Sequence, residues 1–204
     1  MQPVQPLPAV FDDYERIGGV LEFAVFEDAD SDEKSAIAAI TSLVTDIDQT
    51  KLLLLDSHHI DDKSFYGDWY SFDDDALLKG GTWTTRDRRE FINPKLSDLE
   101  GVSITTGSYG TRKAGGGGQF AYAFSHPPYR LSAQPSKIQE LFREIRDFVL
   151  PPNLAHEISD WSSPRLVEAS DYFSMGMEWW GVFLWTIYIP ELRRLTAMAG
   201  STTD

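Results

Sequence analysis

The segment Ser136–Leu150 constrains the fold more than any other part of the chain. Ile138, Leu141, Phe142, Ile145 and Phe148 recur at spacings of three and four, so a helix puts them on one face with charged residues opposite. Ser136 with Gln139 suits a capping box, and Pro151-Pro152 stops the helix. A helix with one apolar face must bury that face against a second layer. The rest of the chain offers short, strand-like runs to build one.

Those runs are Val20–Phe26, Thr82–Thr85, Val102–Thr106, Gln119–Ser125 and the aromatic, β-branched reach from Asp171 to Ile189. Residues 190–200 read better as a turn and last strand than as a helix. Ile37, Ile40, Val44 and Ile47 mark a second helix, with Asp28–Glu33 at its positive N-terminal end and Asp30 with Glu33 fitting a capping box. Lys51–Asp56 has the length of a buried strand, which would make residues 20–56 a β-α-β unit. Gln119–Ser125 alternates rings with small residues and would pair with Val102–Thr106 as a hairpin. A short helix at Val10–Ile17 would end at Gly18-Gly19. The expectation is a single α+β domain over residues 1–204, with a proline-bearing segment at 1–9. Its mainly antiparallel sheet of about six strands is flanked by helices near 31–47 and 136–150.

The chain has 204 residues, 42% of them hydrophobic and 13% aromatic, enough apolar area for one continuous core. It has no cysteine, which removes disulfides, thiolate nucleophiles and thiolate metal sites and suits a reducing compartment. The first residues lack the basic start and apolar stretch of a signal peptide, and the longest apolar run, Trp179–Ile189, is too short to cross a bilayer. A cytoplasmic location without membrane contact is expected.

Net charge is −14, and its placement is uneven. Residues 1–80 hold 18 Asp and Glu against 5 Lys and Arg, whereas residues 81–204 hold 14 against 13. Such a field repels nucleic acid and attracts a basic protein. The acids gather most densely among rings in Tyr66-Gly-Asp68-Trp69-Tyr70-Ser-Phe72-Asp73-Asp74-Asp75, with Asp61 and Asp62 just upstream. Trp and Tyr anchor interfaces, and acids on a rim steer a basic partner, so these residues form the expected protein-binding site. The competing reading is a solvated loop whose aromatics belong to the core.

The string Asp56-Ser-His58-His59-Ile-Asp61-Asp62 offers a different chemistry, since His58, His59 and Asp61 are metal-ligand types. It resembles the DHH phosphoesterase signature over a few residues, interrupted by Ser57, and no function is carried over. Adjacent residues of an extended segment point to opposite sides, so a polar loop is preferred to a metal site. Asp28, Asp30 and Asp32 mimic the start of a calcium loop, but Glu33 stands where glycine is required and Ala39 where glutamate is, which favours helix capping.

The glycine tract 107–118 has its lysine before the glycines and a strand-like run after them, unlike a phosphate cradle, and reads as a hairpin tip. Arg86, Arg88, Arg89 and Lys95 are interrupted by acids and are expected to pair with the acidic first part of the chain. No serine sits in a nucleophile elbow, and His126 and His156 are isolated in sequence. Tyr172–Trp180 reads as core, with Glu178 beside two tryptophans the position to watch as an acid. Together these features favour a non-enzymatic module, without cofactor, that sequesters a basic partner such as a toxin or effector. Its style is similar to that of toxin-immunity proteins, by analogy alone. The alternative is a metal-dependent hydrolase using His58–Asp62.

Overall fold

The computed structural model describes residues 1–55, 57–108, 119–178 and 180–202, residue 178 by its backbone alone. In the N-terminal part β1 (Gln2–Pro3) and α1 (Ala9–Arg16) precede β2 (Glu22–Glu27) and α2 (Glu33–Leu43). Then come α3 (Gln49–Leu53), β3 (His58–Ile60) and α4 (Asp62–Tyr66). The middle holds β4 (Tyr70–Ser71), β5 (Ala76–Leu77), β6 (Thr82–Thr85), β7 (Glu90–Ile92) and β8 (Ile104–Ser108). Helices α5 (Phe120–Ser125) and α6 (Pro135–Val149), strand β9 (Glu157–Asp160), helix α7 (Leu166–Ala169) and strands β10 (Val182–Ile189) and β11 (Arg194–Ser201) follow.

The architecture is mixed α and β around a six-stranded, wholly antiparallel sheet of order β1-β2-β11-β10-β9-β3. Its centre is the β10–β11 hairpin, in register from Val182 opposite Ser201 to Ile189 opposite Arg194. Pro190 opens the turn and Arg193 closes it in the left-handed region at φ 48°. Two small sheets, β4-β5 and β7-β6-β8, stand apart from the large one.

Alternation along the central strands separates two cores, because successive side chains of a strand leave opposite faces. Phe183, Trp185, Ile187 and Met198 join one core, packed under α1, α5 and α6 through Tyr14, Phe120, Phe124 and Phe142. Leu184, Leu195, Ala197 and Ala199 join the other, where α2, α3 and α7 contribute Ile37, Ile40, Leu52 and Leu166. The alanines of β11 let α2 approach the sheet closely. Among the described residues no helix is long and apolar enough to cross a membrane.

Several expectations change. Of the run expected as a strand at Lys51–Asp56, the described residues 51–55 form none: Asp48 accepts hydrogen bonds from the N–H groups of Thr50 and Lys51 and starts helix α3, and Leu52 and Leu55 are buried while Leu53 and Leu54 face outward. The β-α-β unit therefore does not form, and β2 and β3 lie at opposite sides of the sheet. Residues 120–125 are the helix α5 and no hairpin partner. Every one of its residues is buried, so its alternation of rings and alanines reflects a helix enclosed all round, with Phe120 and Phe124 one turn apart against Phe142. Helix α2 is capped by Asp32, through Ser35 N–H, in place of Asp30, and α6 has no side-chain cap.

Candidate functional site

The protein-binding site expected at residues 61–75 is largely tied to its own fold. Trp69 is buried edge-on against Tyr122 (ring centroids 4.9 Å apart) and His126 (4.3 Å). Tyr66 is buried and stacks on half-buried Tyr70 at 4.5 Å. The Tyr70 hydroxyl donates to Asp75 Oδ1 (2.5 Å) and accepts from Arg146 Nη1 (2.8 Å). Asp75 also pairs with Arg146 and, at 3.1 Å, with Arg143, both on α6. Partial burial opposes its charge, yet the hydrogen bonds from Arg146 and Tyr70 and the two guanidinium charges prevail and hold its carboxyl below the ordinary 3.8. Burial and the bond to Asp75 push the Tyr70 phenol up to about 12.

Asp74 is bound by Lys95 at 2.5 Å and by the Ser71 hydroxyl at 2.9 Å. Of the named anchors, Asp68 and Asp73 are exposed, and Phe72 is 51% exposed. The basic run splits as well: Lys95 reaches the acidic first part, Arg89 pairs locally with Asp87, and Arg86 and Arg88 are exposed. The carbonyl-side histidine His126 lies 2.7 Å from the Ser125 hydroxyl, which donates to the Ala121 carbonyl, and its own carbonyl accepts from Trp180 Nε1. Asp56, residues 109–118 of the glycine tract, Trp179 and the Glu178 side chain lie outside the described residues.

A second acidic region assembles at the free edge of the large sheet. Among the described residues strand β3 pairs with β9 alone, His58 opposite Asp160 and His59 opposite Ser159, so the two histidines leave opposite faces. Asp61 ends the strand by capping α4, accepting from Ser64 N–H at 2.8 Å. Hydrogen bonds from the Ser64 hydroxyl and N–H hold its carboxyl below 3.8. His156, at the approach to β9, sets Nε2 2.7 Å from Asp62 Oδ1 and Nδ1 3.1 Å from the Leu154 carbonyl, which ties β9 to α4.

Beside His59 the sheet face opens into a cleft of about 130 Å³ between the N-terminus of α2 and strands β9 and β10. Ser57, Ser159 and Thr186 supply hydroxyls, Trp161 and Tyr188 supply rings, and Asp32, Glu33 and Glu157 supply carboxylates. Hydrogen bonds from Ser35 hold the Asp32 carboxyl below its ordinary value. Trp161 Nε1 donates to Thr186 Oγ1 (3.0 Å), so the floor is internally satisfied. Two shallower depressions continue the cleft, first past His59, His156 and Glu157, then past Asp61, Asp62, Lys63 and Phe72. The connected surface carries five carboxylates and one lysine.

Chemically, this groove suits a cation better than a reaction. His59 Nδ1 is 3.5 Å from Ser159 Oγ, the outer limit of a hydrogen bond. Asp61 serves as a cap, and no group of three metal-ligating side chains occurs among the described residues. Small-molecule sites occupy roughly 300–1,000 Å³; the cleft itself, at about 130 Å³, has room for a single side chain, and the adjoining depressions, about 410 and 470 Å³, are wide open to solvent. Glu157, Ser159, Trp161 and Tyr188 escape a reading by sequence; the alternation Glu157-Ile-Ser-Asp160 was their only signal. Comparison with protein-family models, with curated proteins and with solved structures found no match.

Proposed function

We propose that this chain is a protein-binding, inhibitory module of the cytoplasm that holds a basic partner protein by the groove along β3. The reading rests on one observation: three depressions adjoin one another around the β3 edge, sharing His59, Ile60, His156 and Glu157 in their walls, and together carry five carboxylates and a single lysine. A Lys or Arg side chain fits the cleft, with Trp161 and Tyr188 as walls and Asp32, Glu33 and Glu157 to receive its charge. Half-exposed Phe72 and neighbouring Asp73 extend the rim and keep part of residues 61–75 in the interface. The aromatic anchoring expected of Tyr66 and Trp69 has no role in this version, because both rings are core.

A toxin or effector with a basic surface is the fitting class of partner. The acidic field steers such a partner and raises its association rate, an effect that falls with salt. A metal-dependent hydrolase at His58–Asp62 has less in its favour, since His58 and His59 diverge and Asp61 is engaged as a cap.

Affinity capture from the native host, followed by association kinetics with the purified partner, tests the reading. Glu33→Lys with Glu157→Lys should slow association about tenfold or more at low salt and flatten its salt dependence. Glu90→Lys, on the small three-stranded sheet, should have little effect. A captured partner with an acidic surface, or equal rates for all variants, would refute the proposal.

A further inference from the structure

The three-stranded sheet β7-β6-β8 presents a second free edge, of different chemistry. Strand β8 is half-buried at Ile104 and exposed from Thr105 to Ser108. Among the described residues it pairs with β6 alone, Thr82 opposite Ser108, Trp83 opposite Gly107 and Thr84 opposite Thr106. On the inner face the Trp83 ring lies so close to Gly107 that a Cβ there would sit 2.3 Å from it. Gly107 therefore lets the indole lie flat against the strand, which keeps β8 seated on β6.

Proteins protect sheet edges with very short strands, charges, prolines or bulges. The large sheet uses the first device, since β1 has two residues and β3 three. Strand β8 has five residues, Ile-Thr-Thr-Gly-Ser, without charge or proline. Its one protection is the extra residue Thr105, where the register with β6 shifts; from Thr106 to Ser108 the strand runs regularly.

Charge decides what can approach. A second copy meets strong repulsion over residues 1–80, where 18 acids face 5 bases. Residues 81–108 hold four acids and four bases, so this sheet is built from the near-neutral part of the chain and carries none of the acid excess of residues 1–80. We propose that β8 pairs antiparallel with β8 of a second copy about a two-fold axis near Thr106, joining two three-stranded sheets into one of six strands. Such an interface is self-complementary, and its main-chain hydrogen bonds extend each sheet by strand addition. Its area is that of a single short strand, far below that of a permanent dimer, so the association is weak and reversible.

Any register centred on Thr106 or Gly107 brings the two copies of Thr106 opposite or diagonal to one another on the same face. Sedimentation of the full chain from about 10 μM to about 1 mM should therefore show mass rising with concentration. Thr106→Glu and Thr106→Lys, both on the exposed face, should each lower the association constant about fivefold or more, with far-UV circular dichroism unchanged. An equimolar mixture of the two should associate again, because opposite charges now meet. Three results would each overturn the proposal: a native chain that stays monomeric throughout, a charged variant that associates as the native chain does, or a mixture as dissociated as its components. The native concentration series needs no variant to fold.

Discussion

Residues 66–75 and the edge of β3 look alike as sequence, acidic and dotted with rings, yet they serve opposite ends. In the first, Arg143 and Arg146 reach across from α6 and Lys95 from the following loop, and Tyr66 and Trp69 turn inward. In the second, Asp32, Glu33 and Glu157 face an open cleft whose lining holds no lysine or arginine, Lys34 standing beside Asp32 at the start of α2 and Lys63 in the adjoining depression. The difference teaches that a run of acids is neither a site nor a solvated loop by composition; what matters is whether the fold brings cations to it. Arg146 meets Asp75 across 71 residues of chain, a distance that no local pattern spans.

Four measurements can break or sharpen that contrast. Trp69→Ala should be the most damaging, at about 3–5 kcal/mol in urea unfolding, because it empties a buried site between Tyr122 and His126. An interface anchor would instead leave stability intact. Arg146→Met should cost about 2 kcal/mol, since it strips a 12% exposed guanidinium from both Asp75 and the Tyr70 hydroxyl. Arg143→Met, at a 45% exposed position, should cost clearly less.

Acid should erase part of that network. The Asp75 carboxyl is depressed, so its contribution is present above the ordinary 3.8 and is lost as pH falls through its lower folded value. The stability gap between the native chain and Asp75→Asn should therefore be full at pH 6 and shrink steadily as pH falls below 3.8. Smallest of all, Glu157→Gln should not move the urea midpoint, and Glu33→Gln, which removes one charge from the N-terminal turn of α2, should cost under about 1 kcal/mol. A marked loss of stability in either would mean that the groove's acids are structural.

How much of this was legible follows from what each element depends on. Strand β2, helix α6 and strand β11 depend on local periodicity and turn chemistry, and the sequence pattern locates them to within a few residues, whereas β10 takes only the end of the strand-like reach 171–189, whose first part, Asp171–Phe173 and Met175–Glu178, forms 3-10 turns. Helices α3 and α5 were misread because their apolar runs suit either conformation. The Asp48 cap settles α3, and enclosure by Tyr14, Phe65 and Phe142 settles α5. The groove was hardest to foresee, since Asp32, His59 and Glu157 come from three distant segments: the β9–β3 pairing joins the last two, and the packing of α2 on β2 and β11 adds the first.

The pairing of β2 with β11 sets Phe26 opposite Leu195, so the sheet's interior is closed by segments about as far apart as this chain allows. A ribosome releasing the chain in order would present β2, α2 and the whole aromatic middle long before their cover arrives. Folding of the central sheet is thereby a late event of high contact order, and until then the apolar side of β2 is open to chaperones or to neighbouring nascent chains.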